Sequence, residues 1–351
     1  MGLNPKSHAS EIGQFLRRPH LYYLLSIGWV LFIAIQWRNW LGAMSVDWML
    51  LTGFAALMIA LAFANTGEKR LEEMLDRLER RGVLKLAGTD KKMIKHGLEE
   101  RAARFGKVAA PVLALIMVGA FVPQMRTKWL LCLFEAAWAF VAGRRVGKMI
   151  AYGSMGWYLR DQNVEIRPVP GHIDGAAGLR PVGDFCLFQA MVSATPAIYL
   201  ALWSSAIPAF PAMRVRYPYW MHPFLWLLAL AIVVEVLVFV LPMWRFHLDM
   251  AEVKKVLLAD ADRLSDEIAA IGIRLGESKT REERDALNQE LSIKTKQFWN
   301  IESMPTWPMD IVILRHFALR NAALLLPLIA EATGVHEAWV KLLEKAVSES
   351  H

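Results

Sequence analysis

The most constraining feature of this sequence is a set of apolar blocks that alternate with strongly charged segments. A helix needs about 20 consecutive apolar residues to cross the hydrocarbon core of a bilayer. Of the 351 residues, 55% are hydrophobic, and they are concentrated in these blocks. A soluble chain of this length would instead spread them over the cores of two or three domains. The blocks therefore predict an all-α, polytopic membrane protein.

Six blocks qualify as membrane spans, which predicts a bundle of about six transmembrane helices. The third and fourth blocks are short and lie close together in the sequence, which indicates a tight antiparallel hairpin. The predicted spans are 21–37, 48–64, 108–122, 129–142, 185–207 and 224–243.

Lysine and arginine are distributed unequally over the segments between these spans. The N-terminal arm has three of them, and the connections 65–107 and 143–184 have twelve and six. The alternate connections have one, two and two. Because basic residues concentrate on the cytoplasmic side, both termini are expected in the cytoplasm. The membrane would be the plasma membrane or, in a bacterium, the inner membrane.

This topology divides the chain into alternating membrane and cytoplasmic parts. Each cytoplasmic part has its own pattern of charge or glycine and proline. The predicted parts are the arm 1–20, spans one and two in 21–64, charged helices in 65–107, spans three and four in 108–142, an amphipathic segment with a Gly/Pro-rich loop in 143–184, spans five and six in 185–243, and a C-terminal helical part in 244–351.

A heptad-like seam follows the sixth span. Its apolar residues are separated alternately by four and three positions, which is the spacing of a coiled-coil interface. Thr280 and Glu283 form a capping box that begins another helix. The pattern predicts an antiparallel coiled-coil hairpin, whose seam is filled either by the returning arm or by a neighbouring subunit. The seam residues are Leu257, Ala261, Leu264, Ile268, Ile271 and Leu275.

The last apolar run, 309–333, is interrupted by polar residues on successive turns, among them Arg315, Arg320 and Asn321. A seventh span would place two arginines at mid-depth, which costs about 3 kcal/mol each on insertion scales. The sequence therefore favours a helix that packs against the cytoplasmic bundle or lies on the membrane surface.

Two acidic residues lie inside predicted spans: Glu135 in the fourth and Glu235 in the sixth. An ionisable group in hydrocarbon normally faces a bundle interior, a charged partner or a water-filled path. The two acids are therefore candidates for an intramembrane polar pathway. The alternative is that each is a hydrogen-bonded acid that helps two helices to pack.

The loop 161–184 contains four glycines and three prolines, which excludes a regular helix over most of its length. One interpretation is a divalent metal or proton site, with His172 and Asp174 as weak candidate metal ligands. A second is an anion contact through arginine side chains and backbone N–H groups. A third is an ordered loop whose polar groups satisfy one another. The candidate residues are Glu165, Arg167, His172, Asp174, Arg180 and Asp184.

Several classes of function are disfavoured by the sequence. A net charge of +7 is not arranged as a basic stripe interleaved with aromatic residues, so nucleic-acid binding is not expected. Metalloprotease, serine-hydrolase and phosphate-loop motifs are missing from the sequence. An enzyme is therefore the less favoured interpretation, and no cofactor is indicated.

The leading hypothesis is a homo-oligomeric ion channel or transport-like protein that is gated through its cytoplasmic helical part. The alternative is a membrane-anchored sensor, scaffold or effector that binds a soluble protein partner through the C-terminal coiled-coil hairpin. A membrane enzyme centred on His172 and Asp174 is a third and weaker hypothesis.

Overall fold

A computed structural model describes residues 27–28, 48–85, 91–122, 125–217 and 219–333, and this part of the chain is mostly helical. The predicted first span, the N-terminal arm and the C-terminal residues 334–351 lie outside it, apart from residues 27 and 28. The described elements are α1 (Trp48–Asn65), α2 (Gly67–Arg80), β1 (Leu84–Lys85), α3 (Lys91–Ala120), α4 (Met125–Gly153), α5 (Met155–Asp161), β2 (Glu165–Ile166), α6 (Arg180–Ala209), α7 (Pro211–Arg216), α8 (Met221–Glu277), α9 (Arg281–Glu302) and α10 (Ile311–Ala332).

Among the described residues, four helices are long and apolar enough to cross a membrane. Three of them contain predicted spans, namely the third, fifth and sixth. The fourth contains the run that the sequence placed outside the membrane. The predicted spans 48–64 and 129–142 lie in α1 and α4, which do not belong to this set. The four helices are Lys91–Ala120, Arg180–Ala209, Met221–Glu277 and Ile311–Glu331.

The short third and fourth blocks are parts of two much longer helices, α3 and α4, which pack against each other. Charged residues do not break a helix, so both helices continue beyond the apolar stretch. The crossing is built from small residues. A methyl group added at Gly147 would lie 2.3 Å from the backbone nitrogen of Gly106, and one at Gly143 would lie 2.5 Å from Cα of Ala110. The two backbones are therefore in direct contact.

Two apolar cores lie at opposite ends of the packed helices. The first surrounds the N-terminal end of α6 and includes Leu78, Leu98 and Phe246. The second is aromatic and lies where α6 ends and α8 begins, with Phe121, Tyr217 and other rings in edge-to-face contact. Helix α8 connects the two cores and then continues beyond the first.

Beyond the first core, the chain turns and α9 packs back along α8. The turn begins where the sequence predicted it, since the Thr280 side chain accepts a hydrogen bond from the Glu283 N–H at 3.3 Å. Apolar residues between the two helices include Ala261, Leu264 and Ile301. The α9 arm thus covers part of the α8 seam, and a supercoiled geometry for this pair stays a prediction.

Helix α10 lies beside α6 and α8 and not in a bundle with α9. Its start contacts the first turn of α6, where a methyl group at Gly183 would lie 3.3 Å from Ile313. Further along, Phe317 stacks on Phe239 with ring centroids 3.9 Å apart, and Leu324 packs among residues of α6 and α8 that include Leu228. Helix α10 therefore runs parallel to α6 and antiparallel to α8.

The outward face of α10 is largely apolar, although Arg315 and His316 are also exposed on it. Seven large aliphatic side chains are exposed on it, although a helix of a soluble bundle would expose polar residues there. The expectation from the sequence, a helix that packs against the cytoplasmic bundle or lies on the membrane surface, stays a prediction. The exposed residues are Ile311, Val312, Leu314, Leu319, Leu325, Leu326 and Ile329.

Candidate functional site

Glu235 on α8 and two adjacent residues on α10, Arg320 and Asn321, form a buried group that we call the polar cluster. Arg320 Nη2 donates a hydrogen bond to Glu235 Oε1. Asn321 Nδ2 lies 3.3 Å from the same carboxylate oxygen and donates to it as well. The Glu235 side chain is fully inaccessible to solvent. The cluster thus joins an acid and a base between two apolar helices.

Helical periodicity explains why the α10 residues reach Glu235. Residues three and four positions apart lie on one face of a helix, so Arg320 and Asn321 follow Phe317 on the face that meets α8. Asn321 Nδ2 also donates to the backbone oxygen of Phe317 at 3.1 Å, which holds its amide in place. The stack of Phe317 on Phe239 lies directly beside the ion pair, since Phe239 follows Glu235 by one helical turn.

Both charged members lie near the middle of an apolar stretch. Glu235 lies one to two residues from the centre of the predicted span 224–243, and Arg320 from the centre of Ile311–Glu331. One of the two arginines that argued against a membrane span, Arg320, is therefore matched by an acid at the same level of the neighbouring helix. This neutralisation removes the objection raised by Arg320, whereas Arg315 is exposed on the outward side of α10.

Three polar atoms of the cluster have no hydrogen-bond partner among the described residues. They are Glu235 Oε2, Arg320 Nε and Asn321 Oδ1, and all three are buried. Buried polar groups are almost always hydrogen-bonded, because an unsatisfied one costs about 1–3 kcal/mol. The cluster therefore has hydrogen-bonding capacity that the described residues do not use.

Glu135, the other predicted pathway acid, lies in different surroundings. It is half-buried on α4, and Cys132 and Trp138, three residues away on either side, belong to the aromatic core. The acid that Arg320 and Asn321 contact is Glu235, so the structure does not join the two acids in one cluster. The sequence reasoning missed both α10 residues as partners. The available signal was an arginine and an acid at matching depth in separate apolar helices.

In the Gly/Pro-rich loop, Asp174 is the central residue. Its Oδ1 accepts hydrogen bonds from the backbone N–H groups of Ala176, at 3.0 Å, and Gly178, at 2.9 Å. Arg81, which follows α2, donates to its Oδ2. His172 Nδ1 lies 2.9 Å from Oδ1. The sequence reasoning did not identify Arg81, because 93 residues separate it from Asp174.

These contacts determine the protonation of Asp174. Burial acts to raise the pKa of its carboxyl group. The hydrogen bonds from Gly178, Ala176 and His172 outweigh burial, so the pKa lies below its usual value. A charged Asp174 therefore holds the loop together at neutral pH, and it also links the loop to the end of α2 through Arg81.

The other candidate loop residues are not gathered around Asp174. Glu165 and Arg167 pair with each other at 2.6 Å on the protein surface. The Arg180 side chain pairs with Asp310 at 3.3 Å, although its backbone N–H also lies 3.4 Å from Asp174 Oδ2. Asp184 is exposed on α6. The loop is thus an ordered junction between α2, α6 and the segment before α10.

Metal binding was one interpretation of this loop. Within the described part of the chain, no group of three or more His, Cys, Asp or Glu side chains is arranged to hold a metal ion. His172 and Asp174 are adjacent, but hydrogen bonds from Arg81 and the backbone engage both carboxylate oxygens. The arrangement favours the interpretation in which the polar groups of the loop satisfy one another.

No protein-family model, curated protein or solved structure matches this chain. The features that bear on function are therefore the polar cluster, the apolar helices around it and the continuous helix that connects it to the α8–α9 hairpin.

Proposed function

We propose that this protein is an integral membrane channel or transport-like protein in which an ion or small polar species passes through the polar cluster. The observation that carries the proposal is the contact of the buried residues Glu235 and Asn321 with the partly buried Arg320, between two helices that are apolar enough to cross a membrane. Ionisable residues inside membrane segments are rare, and they commonly mark the pathways of ions and protons.

The energetics of the cluster favour a functional role over a structural one. Desolvation of two charges offsets most of their mutual attraction, so a buried ion pair is a weak source of stability. Well-packed leucines at these positions would hold α8 and α10 together without unsatisfied polar atoms. Retention of the cluster is explained if an ion or polar molecule uses it.

Helix α8 supplies a route by which the cytoplasmic part could control the cluster. It is continuous over 57 residues, or about 85 Å at 1.5 Å per residue. Glu235 lies in its first half, and the contacts with α9 lie in its second half. A tilt of the α8–α9 hairpin would therefore move Glu235 relative to Arg320. Assembly into a homo-oligomer remains part of this proposal.

The proposed topology has seven spans, because α10 is added to the six predicted from the sequence. Helix α10 follows α6 from its first turn to the level of Ala201. Its 22 residues measure about 33 Å, against a hydrocarbon thickness of about 30 Å. The N-terminus and the α8–α9 hairpin are then cytoplasmic, and residues 334–351 lie on the opposite side.

The test is ion flux through the purified protein in liposomes. Proton, potassium and chloride fluxes would be measured for the wild type, for Glu235→Gln and for Arg320→Gln. We expect a flux above that of protein-free liposomes and a several-fold change in both variants. The matched control is Glu252→Gln, an exposed acid on the same helix, which should leave the flux unchanged. Equal flux in wild-type, Glu235→Gln and protein-free liposomes would overturn the proposal.

A second candidate function, partner binding through the hairpin, is favoured by large apolar side chains exposed on it, four of which are more than half exposed. These four are Val256, Ile273, Ile293 and Trp299. Deletion of the hairpin would also remove Phe246 and Met250 from the first core, so substitution is the cleaner test. Serine at the four positions should abolish capture of a soluble partner and leave ion flux intact. Unchanged capture would exclude this alternative.

A further inference from the structure

The unused hydrogen-bonding atoms of the polar cluster indicate what it binds. Glu235 Oε2 and Asn321 Oδ1 are acceptors when the acid is charged, and Arg320 Nε carries a donor hydrogen. Each of the three is only two covalent bonds away from an atom that makes a hydrogen bond within the cluster. The three unused groups therefore lie in one small region between α8 and α10.

Among the common small ions and water, only water can bind to two acceptors and one donor at the same time. Sodium or potassium would suit the two oxygens but would be repelled by the adjacent guanidinium. Chloride would suit the Nε–H but would be repelled by the carboxylate. A water molecule accepts one hydrogen bond from Arg320 and donates one each to Glu235 and Asn321. Buried waters typically make about three hydrogen bonds to otherwise unsatisfied polar groups.

We propose that the polar cluster binds one water molecule, held by Glu235, Arg320 and Asn321, and that it does not bind Na⁺, K⁺ or Cl⁻. The apolar residues around the cluster favour the binding of a single water molecule. Phe239 and Phe317 stack on one side, and the apolar residues Ile232 and Leu324 lie within one helical turn of the cluster along α8 and α10. The Arg320 side chain is 22% exposed, so exchange with solvent would occur past the guanidinium.

This inference deepens the proposed function and, in what it says about transport, rests on it. If the protein conducts, the water and Glu235 together form a site for a proton and not for a metal cation. A proton reaching the water would pass to Glu235 Oε2, which leaves the water neutral and the carboxyl protonated, and would leave by the reverse transfer. Proton flux should then exceed potassium and chloride flux.

Radiolytic footprinting tests the bound water directly, because hydroxyl radicals formed from an internal water oxidise the side chains beside it. We expect Phe317 to be oxidised in the wild-type protein although it is buried. Phe224, which packs among rings of the aromatic core, is the internal control and should be protected. Asn321→Leu removes one acceptor and should lower Phe317 oxidation several-fold. Wild-type protein without oxidation at Phe317 would overturn the proposal.

A second measurement does not depend on the folding of a variant. The melting temperature of the wild type would be recorded in NaCl, KCl, choline chloride and sodium gluconate at equal ionic strength. We expect the same value in all four salts, and a saturable rise specific to Na⁺, K⁺ or Cl⁻ would contradict the inference. Oxidation of Phe317 without ion flux would retain the water site and remove the proposed function. Ion flux without oxidation of Phe317 would retain the proposed function and remove the water site.

Discussion

Arg320 is a charged residue in the middle of an apolar helix, and its position in this fold depends on one acid. Glu235 accepts its hydrogen bond and is itself fully buried. Either residue alone would leave an uncompensated charge in an apolar environment. The pair is tolerated because both charges are present, and its members are therefore expected to be strongly coupled in stability.

Removal of one member should be far more damaging than removal of both. Glu235→Leu leaves Arg320 unpaired and should lower the free energy of unfolding by about 3–5 kcal/mol. The double variant Glu235→Leu/Arg320→Leu should recover most of that loss. The measurement is unfolding in detergent, followed by tryptophan fluorescence. If the double variant is no more stable than Glu235→Leu, the two side chains are not coupled.

Asp174 should make the stability of the junction between α2, α6 and the segment before α10 depend on pH. Because its pKa is lower in the folded protein, its stabilising effect is fully present above the unfolded pKa of about 4. The effect is lost as the pH falls from there through the folded pKa. We expect a drop in melting temperature over this acidic range.

The matched variant for this pH effect is Asp174→Asn. It cannot carry the charge that Arg81 and the backbone N–H groups stabilise, so it should be less stable at neutral pH by about 2 kcal/mol. Its melting temperature should also change less with pH between pH 5 and the acidic range. A variant with the wild-type pH profile would show that another group titrates.

At the scale of helices, the crossing of α3 and α4 depends on glycine. Gly143 and Gly147 on α4 lie against Ala110 and Gly106 on α3, with the backbones in contact. Small residues allow two helices to approach this closely, because they have no bulky side chain to hold the backbones apart. These two helices contact each other more extensively than any other pair of elements in the described part of the chain.

Gly147→Ala should therefore destabilise the protein, although alanine is the better helix former. The added methyl group meets backbone atoms of α3, and such overpacking costs about 1–3 kcal/mol. Gly272→Ala is the control, since the space beside this helical glycine on α8 is open, and it should stabilise by about 0.5–1 kcal/mol. Melting temperatures of the two variants should shift in opposite directions. A shift of the same sign in both would exclude the packing explanation.

How far the sequence predicts these elements depends on whether the determining contacts are local. The apolar blocks and the Thr280 cap identify helices and one turn, because periodicity and capping act within a few residues. The continuation of α4 beyond its apolar stretch was missed, since a charged segment can continue a helix. The position of α10 and the role of Arg81 depend on partners 85 and 93 residues away in sequence. A single sequence shows that Arg320 and Glu235 lie at matching depths of two apolar helices, but it does not show that these helices are neighbours.

For the whole molecule, the parallel course of α6 and α10 determines the expected topology. In the proposed topology, a helix that contacts α6 from Gly183 to Ala201 crosses the same layer as α6. The C-terminal segment 334–351 contains only two lysines and no arginine. This low basic content is compatible with the non-cytoplasmic side.

Cysteine labelling should place the two ends of α10 on opposite sides of the membrane. Lys279→Cys lies at the exposed tip of the hairpin, and Ser350→Cys lies near the C-terminus. With a membrane-impermeant maleimide on intact cells, we expect Ser350→Cys to react at once and Lys279→Cys to react only after permeabilisation. The native Cys132 and Cys186 are buried and give little background. Protection of both introduced cysteines would favour six spans.

In the proposed topology, the ion pair between α8 and α10 also implies an order of membrane insertion. Arg320 emerges from the ribosome after Glu235, and its guanidinium would find this counter-ion only when α8 is already in the bilayer. A nascent chain in which α8 fails to insert would leave Arg320 without Glu235 and the face of α10 that meets α8 uncovered. The contact that joins two helices in the finished protein would thus also make the insertion of α10 depend on the insertion of α8.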